Sequence, residues 1–164
     1  MTTLEWSRLK EEERQKIIRR QESLPVRLSD LARDLGVRLV ASTLPAGVSG
    51  EIRPNDMGGY VISINRHDSS RRQRFTVAHE IAHYLLHRDQ IGKGITDDAL
   101  YRSSLSDSRE AEANRLAAEI LMPRSAIATS RARIGSVEAG ELVSKMADEF
   151  GVSEIAMKIR LGLD

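Results

Sequence analysis

The sequence predicts an α+β fold in which a small sheet is followed by several helices. Two short runs rich in β-branched residues, 37–40 and 60–64, have the pattern of strands. Apolar residues at three- and four-residue spacing over 74–87 and 107–123 instead indicate two packed helices. With 164 residues and 40% hydrophobic content, the chain is long enough for one domain with a buried core.

The segments before the first long helix alternate between charged helix and strand. Residues 4–22 contain neither glycine nor proline and are dense in charged residues, which predicts one exposed helix. A short helix over 30–35 follows, capped by Ser29 and closed by Gly36. Two or three strands should come next, and the strand at 60–65 is either an edge that binds a peptide or an ordinary buried strand.

The remaining segments complete the predicted layout. A stretch with two glycines and several serines and aspartates separates the two long helices, and we expect an irregular loop near a cleft, at residues 90–106. Three helices should follow, at 124–130, 137–150 and 153–161. The predicted organisation is an N-terminal helix in residues 1–27, a catalytic region in 28–123 and a helical C-terminal extension packed on the same domain in 124–164.

The most informative motif is HExxH, which spans His79, Glu80 and His83. Residues four apart lie on one face of a helix, so the two imidazoles can converge on one metal ion while Glu80 stays free beside them. Open zinc coordination lowers the pKa of bound water, and an adjacent carboxylate can take its proton during attack on a carbonyl. The motif therefore predicts a zinc hydrolase site with Glu80 as the base.

A catalytic zinc needs a third protein ligand, and the residues leave its identity open. His87 lies about 12 Å of helical rise from His79, too far to share the metal easily. The chain has no cysteine, so the choice falls on His67 or a distant carboxylate. Glu110 lies at the edge of the apolar side of the second helix, but Asp107 and Glu110 also fit a capping box that needs no metal.

Residues 74–87 (RFTVAHEIAHYLLH) and 110–123 (EAEANRLAAEILMP) resemble the ImmA/IrrE group of small bacterial and phage metallopeptidases. The resemblance extends from about residue 28 to the C-terminus. It implies a zincin-like fold, with zinc bound by His79, His83 and Glu110 and with Glu80 as general base. Glu112 is the fallback for the third ligand. The family often has phenylalanine where Leu116 stands, a difference that concerns packing alone.

The same resemblance implies a narrow protein substrate, typically a transcriptional repressor or antitoxin encoded nearby. Two alternatives remain: a non-cleaving antirepressor or sensor that binds a repressor, and a DNA-binding regulator. The second rests on residues 142–161, which have the pattern of a helix-turn-helix. Direct nucleic-acid binding is disfavoured, because the net charge is only +1 and the second helix has few basic residues.

Other side chains are candidates for supporting roles. Asn114, one turn beyond Glu110, could accept a hydrogen bond from a metal-bound imidazole and so fix its tautomer. Tyr60, Tyr84 and His87 are candidates for the donor that stabilises a tetrahedral oxyanion.

The composition indicates the cellular compartment of the protein. Absence of cysteine suits a reducing compartment, and neither a signal-like apolar run nor a membrane-length segment is present in the sequence, so we expect a soluble, cytoplasmic protein without membrane contact. Arg71, Arg72 and Arg74 precede the first long helix. They are either a solvated entry loop or a grip on an acidic segment of substrate.

Overall fold

A computed structural model describes residues 3–163 and has the predicted α+β architecture. Eight α-helices lie in that range: α1 (Leu4–Ser7), α2 (Glu11–Arg20), α3 (Leu28–Asp34), α4 (Ser70–Leu86), α5 (Asp107–Leu121), α6 (Arg124–Ile134), α7 (Ala139–Phe150) and α8 (Glu154–Leu161). Four strands form one sheet: β1 (Val37–Ser42), β2 (Val48–Pro54), β3 (Tyr60–Asn65) and β4 (Ile95–Asp98). A short 3-10 helix, Arg88–Gln90, follows α4.

The sheet has the order β1-β3-β2-β4, with β3 parallel to β1 and antiparallel to β2, and β4 antiparallel to β2. Three strands precede α4, as predicted. The idea that residues 60–65 are a peptide-binding edge is wrong, because β3 is paired on both sides. The consecutive residues Ile62, Ser63 and Ile64 are all buried, which is the pattern of a strand enclosed by the sheet and a covering helix.

The N-terminal segment contains two helices where one was predicted. The chain turns between them so that Leu9 enters the core, where it is 4% exposed. The second helix then begins afresh, since the Glu13 carboxylate accepts a hydrogen bond from the Lys10 backbone N–H at 3.0 Å. Ile17 of α2 is fully buried. The segment therefore packs onto the rest of the molecule through a few apolar side chains.

Helix α4 is the centre of the core, between the sheet and α5. The residues of α4 that face these neighbours include the small side chains Ala78 and Ala82, both fully buried, which allow close packing. Leu116 and Ile120 of α5 are fully buried as well. Because α4 and α5 pack directly on each other, side chains from the two helices can meet at one site.

The C-terminal helices pack against one another and connect to the start of α4. Gly151 ends α7 in the left-handed conformation, with φ of 65°. Arg74 donates to the carbonyls of Gly151 and Val26 at 3.1 and 2.9 Å, and Arg71 donates to the Val152 carbonyl at 2.9 Å. These arginines thus have structural partners, which argues against a grip on an acidic substrate.

The predicted irregular loop at residues 90–106 contains β4, so that prediction is wrong in part. The glycines, serines and aspartates of this segment are typical of a loop, and the short strand β4 is defined only by its pairing with β2. Among residues 3–163, no helix combines the length and apolar character needed to cross a membrane.

Candidate metal centre

Helix α4 fixes the two histidines of the HExxH motif. The helix begins after Ser69, whose side chain accepts the backbone N–H of Arg72 at 3.3 Å. Its seventeen residues run without glycine or proline. One helical turn separates His79 from His83, and both are fully buried. Their Nε2 atoms approach to 3.0 Å, so the two rings point at one position.

Helix α5 brings Glu110 to the same position. Ser106 is the N-cap of α5 and accepts the Arg109 N–H, so Glu110 is not part of the Asp107 capping box that the sequence allowed. The Glu110 carboxylate instead lies 2.9 Å from His83 Nε2 and 3.3 Å from His79 Nε2. Its Oε1 also accepts a hydrogen bond from Ser103 at 3.0 Å.

A fourth side chain, Asp97 of β4, completes the cluster and was missed from the sequence. Its carboxylate oxygens lie 3.4 Å from His79 Nε2 and 3.6 Å from His83 Nε2. Asp97 is fully buried, and neither oxygen has a hydrogen-bond partner within residues 3–163. A bare carboxylate in such a position costs several kcal/mol unless a cation compensates it, on the order given for buried ions.

The four side chains His79, His83, Asp97 and Glu110 form a buried group whose ligand atoms lie within 4.8 Å of one another, and this group can hold a metal ion. Tetrahedral zinc with bonds of roughly 2.0–2.1 Å sets its ligand atoms about 3.3 Å apart. The two Nε2 atoms are 3.0 Å apart, and the nearest carboxylate oxygens lie 2.9 to 3.6 Å from them, which is close to that spacing. The donor set and its geometry therefore fit the metal that the motif implies.

The electrostatics of the site without metal reflect crowding of acids around the imidazoles. Burial alone would lower the pKa of His79, but the carboxylates of Asp97 and Glu110 outweigh it and raise that pKa to about 9. Burial would raise the pKa of Glu110, yet hydrogen bonds from His79 and His83 hold it well below the usual range. A bound cation would take the place of the protons that now offset these charges.

Glu80, the proposed base, lies beside the cluster without joining it. It is fully buried, and its two oxygens have no hydrogen-bond partner in the part of the chain that is described. Burial, and next the charge of Asp97, raise its pKa well above the ordinary value. Strand β2 covers this carboxylate closely: a Cβ on Gly50 would lie 3.2 Å from Glu80 Oε1 and 2.5 Å from Thr76 Cγ2. Only glycine fits between β2 and α4 here.

Both histidines have an outer partner that sets their tautomer. Asn114 Oδ1 lies 2.9 Å from His79 Nδ1, so the imidazole N–H donates to the amide carbonyl, the contact expected from the sequence. His83 Nδ1 lies 3.0 Å from His87 Nδ1, and His87 Nε2 lies 3.2 Å from Glu112 Oε2. One assignment satisfies this chain: His83 donates to His87, which donates to Glu112.

The hydrogen-bond relay from His83 through His87 to Glu112 gives His87 and Glu112 other roles than those predicted from the sequence. Burial lowers the pKa of His87, which keeps the ring neutral and able to accept from His83. Glu112 is also paired with Arg8 and with Arg109, and although burial raises its pKa, Arg8 and His87 bring it to about 2. His87 therefore contacts the side of His83 that faces away from the metal position. Glu112, the fallback ligand, contacts His87 and not the two ligand histidines.

Tyr60 and Tyr84, the tyrosines suggested from the sequence as oxyanion donors, contact each other and the Leu35 carbonyl. Tyr84 donates to the Leu35 carbonyl at 3.3 Å, and its ring packs edge-on against Tyr60 at 5.5 Å between centroids. Tyr101 lies beside the metal centre instead, with its ring centroid 4.8 Å from that of His79 and its hydroxyl 3.2 Å from Thr76 Oγ1. Tyr101 lies in the turn after β4, and no motif or periodicity in the sequence indicated it. His67, the other histidine considered as a ligand, is exposed and contacts Thr43.

A small sheet packed on an HExxH helix, with a buried glutamate supplied by the next long helix, defines a zincin-like metal-site domain. A family model matches residues 32–162 and is described as the IrrE N-terminal-like domain, a group of peptidases. The chain belongs to this family, which agrees with the resemblance found in the motifs.

Comparison with solved structures gives a similar fold in a Mycobacterium tuberculosis transcriptional regulator. The TM-score is 0.55 at 18% sequence identity, and the match covers 96% of this chain and 48% of that chain. This chain thus spans about half the length of the regulator, and the similarity concerns the fold alone. No curated protein sequence gives a match.

Proposed function

We propose that this chain is a zinc-dependent peptidase that cleaves a specific regulatory protein. The observation that carries the proposal is the buried, unpartnered Glu80 carboxylate beside a four-donor metal cluster. A cluster that served only to hold the fold together would gain nothing from this extra acid, because burying it without a partner is unfavourable. Catalysis gives it a role.

Zinc is the proposed metal because the donors are two imidazoles and two carboxylates whose ligand atoms lie within 4.8 Å of one another. His79, His83 and Glu110 would hold the ion. A zinc ion bound there would act as a Lewis acid that polarises a substrate carbonyl and makes water a nucleophile near neutral pH. Asn114 and the relay from His87 to Glu112 orient the two imidazoles for that task.

Glu80 carries the proton transfers. Its carboxylate takes a proton from water as the water oxygen attacks the peptide carbonyl carbon. It then passes the proton to the leaving amine as the C–N bond breaks. The products are a carboxylic acid and an amine, so one water is consumed. Because burial raises its pKa, Glu80 is a stronger base than an exposed glutamate.

Tyr101 is the better placed donor for the tetrahedral oxyanion. Burial raises the pKa of its hydroxyl, which therefore stays protonated and can donate a hydrogen bond. Its ring lies beside His79. This assignment replaces Tyr60 and Tyr84, whose packing lies toward Leu35, and His87, which supports His83.

We infer a narrow substrate, a transcriptional repressor or antitoxin encoded nearby. The similarity in fold to a transcriptional regulator is compatible with such a setting. The DNA-binding alternative receives less support, because Arg160 of α8 is half-buried and donates to the Met122 carbonyl at 2.9 Å. The exposed side chains of α8 include Ile155 and Ile159, which suit a protein contact better than a DNA groove.

Co-expression with the product of an adjacent repressor gene tests the proposal. Wild type and Glu80→Gln are compared by mass spectrometry of the repressor, with zinc content measured on both purified proteins. Fragments cut at one or a few sites by wild type alone are expected. A stable uncleaved complex with both forms would favour the antirepressor, and broad degradation of unrelated proteins would contradict the narrow substrate.

A further inference from the structure

Strand β2 passes close to α4 at Gly50, where a Cβ would collide with Thr76 and crowd Glu80. An extended peptide paired with β2 would therefore cross the metal centre. Main-chain pairing to a sheet edge is a common way to bind peptides. Here the outer side of β2 is already paired: Ile52 with Ile95, Glu51 with Thr96 and, after a bulge, Gly50 with Asp97.

The residue of β4 that reaches the metal centre carries a ligand group. Asp97 is paired in register with Gly50, and its carboxylate points at the Nε2 atoms of both histidines. Tetrahedral zinc with four protein donors is complete, whereas catalytic zinc keeps one position for water. The position that Asp97 supplies is thus the one that hydrolysis requires to be open.

We propose that β4 is an internal pseudosubstrate: its backbone occupies the place of a peptide on β2, and Asp97 occupies the coordination position that attacking water needs. The inference rests on the proposed peptidase function. It means that β4, residues 95–98, must leave β2 and the metal position before a substrate is cut, while Tyr101 stays packed on His79 as the proposed oxyanion donor. A substrate or partner that pairs with β2 more strongly than β4 would be the activator, which also accounts for narrow specificity.

Ile95 anchors the start of β4 in the core, whereas the contacts of the residues after Asp97 are polar. Arg72 donates to the Ala99 carbonyl, Arg102 pairs with Asp98 at 2.9 Å, and Ser103 donates to Glu110. The exposed ion pair of Arg102 and Asp98 contributes little on its own. The strand is only four residues long, and short edge pieces open more readily than core elements.

Binding of hydroxamates to the zinc-loaded full chain tests the inference without requiring cleavage. Acetohydroxamate probes the metal position, and N-acetyl-tetraalanine hydroxamate probes the metal position together with pairing to β2. We expect Asp97→Asn to keep one zinc and to bind both probes at least ten-fold more tightly than wild type. Asp56→Asn, in the exposed turn between β2 and β3, makes the same change of charge away from β4; it is the control and should bind both probes as wild type does.

Two results would overturn the inference: unchanged probe affinity in Asp97→Asn, or loss of its zinc, which would make Asp97 an obligatory ligand. Hydrogen exchange on wild type is the second measurement, which does not depend on the variant. Saturating peptide hydroxamate should speed amide exchange in residues 95–98 at least ten-fold, and unchanged exchange would contradict displacement of β4. Absence of zinc from wild type would instead defeat the proposed function itself.

Discussion

The two halves of the proposed metal centre differ in how their candidate ligands are supported. On the helical half, His79 is held by Asn114 and His83 by His87, so each imidazole is oriented by a second side chain. On the strand half, Asp97 has no hydrogen-bond partner anywhere in residues 3–163. A ligand whose side chain has a second hydrogen-bond partner stays oriented without the metal. A ligand without such a partner is held only by the metal and by its strand. We therefore distinguish a permanent half, formed by His79, His83 and Glu110, from a displaceable cover, formed by β4 with Asp97.

The largest expected effect concerns the base that lies between the two halves. Glu80→Gln preserves shape but removes the proton acceptor, so cleavage of a co-expressed repressor should fall by about 10²–10⁴-fold while zinc is retained. Rates from densitometry and zinc from elemental analysis measure the two quantities. Undiminished turnover would exclude Glu80 as the base, and loss of zinc would make it a support for the ligands.

The same substitution should stabilise the metal-free protein. Glu80 is buried near Asp97 and Glu110, which both raise its pKa, and a neutral amide removes this repulsion and the cost of a buried charge. We expect a higher Tm for metal-free Glu80→Gln in calorimetry at neutral pH. An equal or lower Tm would mean that the acid is better accommodated than its lack of partners indicates.

Removing an outer partner tests how strongly the helical half is supported. Asn114→Ala should lower zinc affinity by about 10–100-fold, because the imidazole of His79 loses the acceptor that orients it. Asn114→Asp keeps an acceptor and is the matched control. Competition with a chromogenic zinc chelator measures both. Equal affinity for wild type and Asn114→Ala would contradict a role in orienting the ligand.

A smaller effect is expected at the outer end of the other relay. Glu112→Gln keeps an oxygen acceptor for His87 Nε2 but loses the charge that pairs with Arg8 and Arg109. Zinc affinity should fall by no more than about 10-fold, the lower end of such effects. A loss as large as that of a direct ligand would move the third ligand from Glu110 to Glu112.

The smallest effect concerns the anchoring of α1 on α5, outside the centre. Burial raises the pKa of Glu5, but hydrogen bonds from Arg115, at 2.6 and 2.9 Å, lower it overall. A lowered pKa means that the stabilisation is complete above the ordinary value and is lost as pH falls through the folded-state pKa. Glu5→Gln should cost about 1–2 kcal/mol at pH 7 in urea unfolding, and less at pH 3. A constant difference would contradict the ion pair.

The helical half could be predicted from the sequence because its order is local. Four-residue spacing brings His79 and His83 together on any α-helix, and helical periodicity placed Glu110 toward the core. The family resemblance then favoured Glu110 as a metal ligand over Glu110 as part of a capping box. Asn114 followed from the same spacing, one turn after Glu110.

The strand half could not be predicted because long-range pairing creates it. Asp97 lies in a stretch of glycine, serine and aspartate that has no periodicity, and only the register with Gly50 of β2 brings it to the histidines. The order of the strands has the same origin: nothing local shows that β3 lies between β1 and β2, or that β4 pairs with β2. Tyr101 reaches His79 through a turn with positive φ, which residue type disfavours.

Zinc affinity of two variants, measured side by side by chelator competition, tests the contrast between the halves most directly. Glu110→Gln removes a ligand of the permanent half, and Asp97→Asn removes the ligand of the cover. We predict more than a 100-fold loss for Glu110→Gln and less than a 10-fold loss for Asp97→Asn, on the scale by which outer partners already change affinity about 10–100-fold. Equal losses would show that all four ligands hold the metal permanently, and would contradict a displaceable β4.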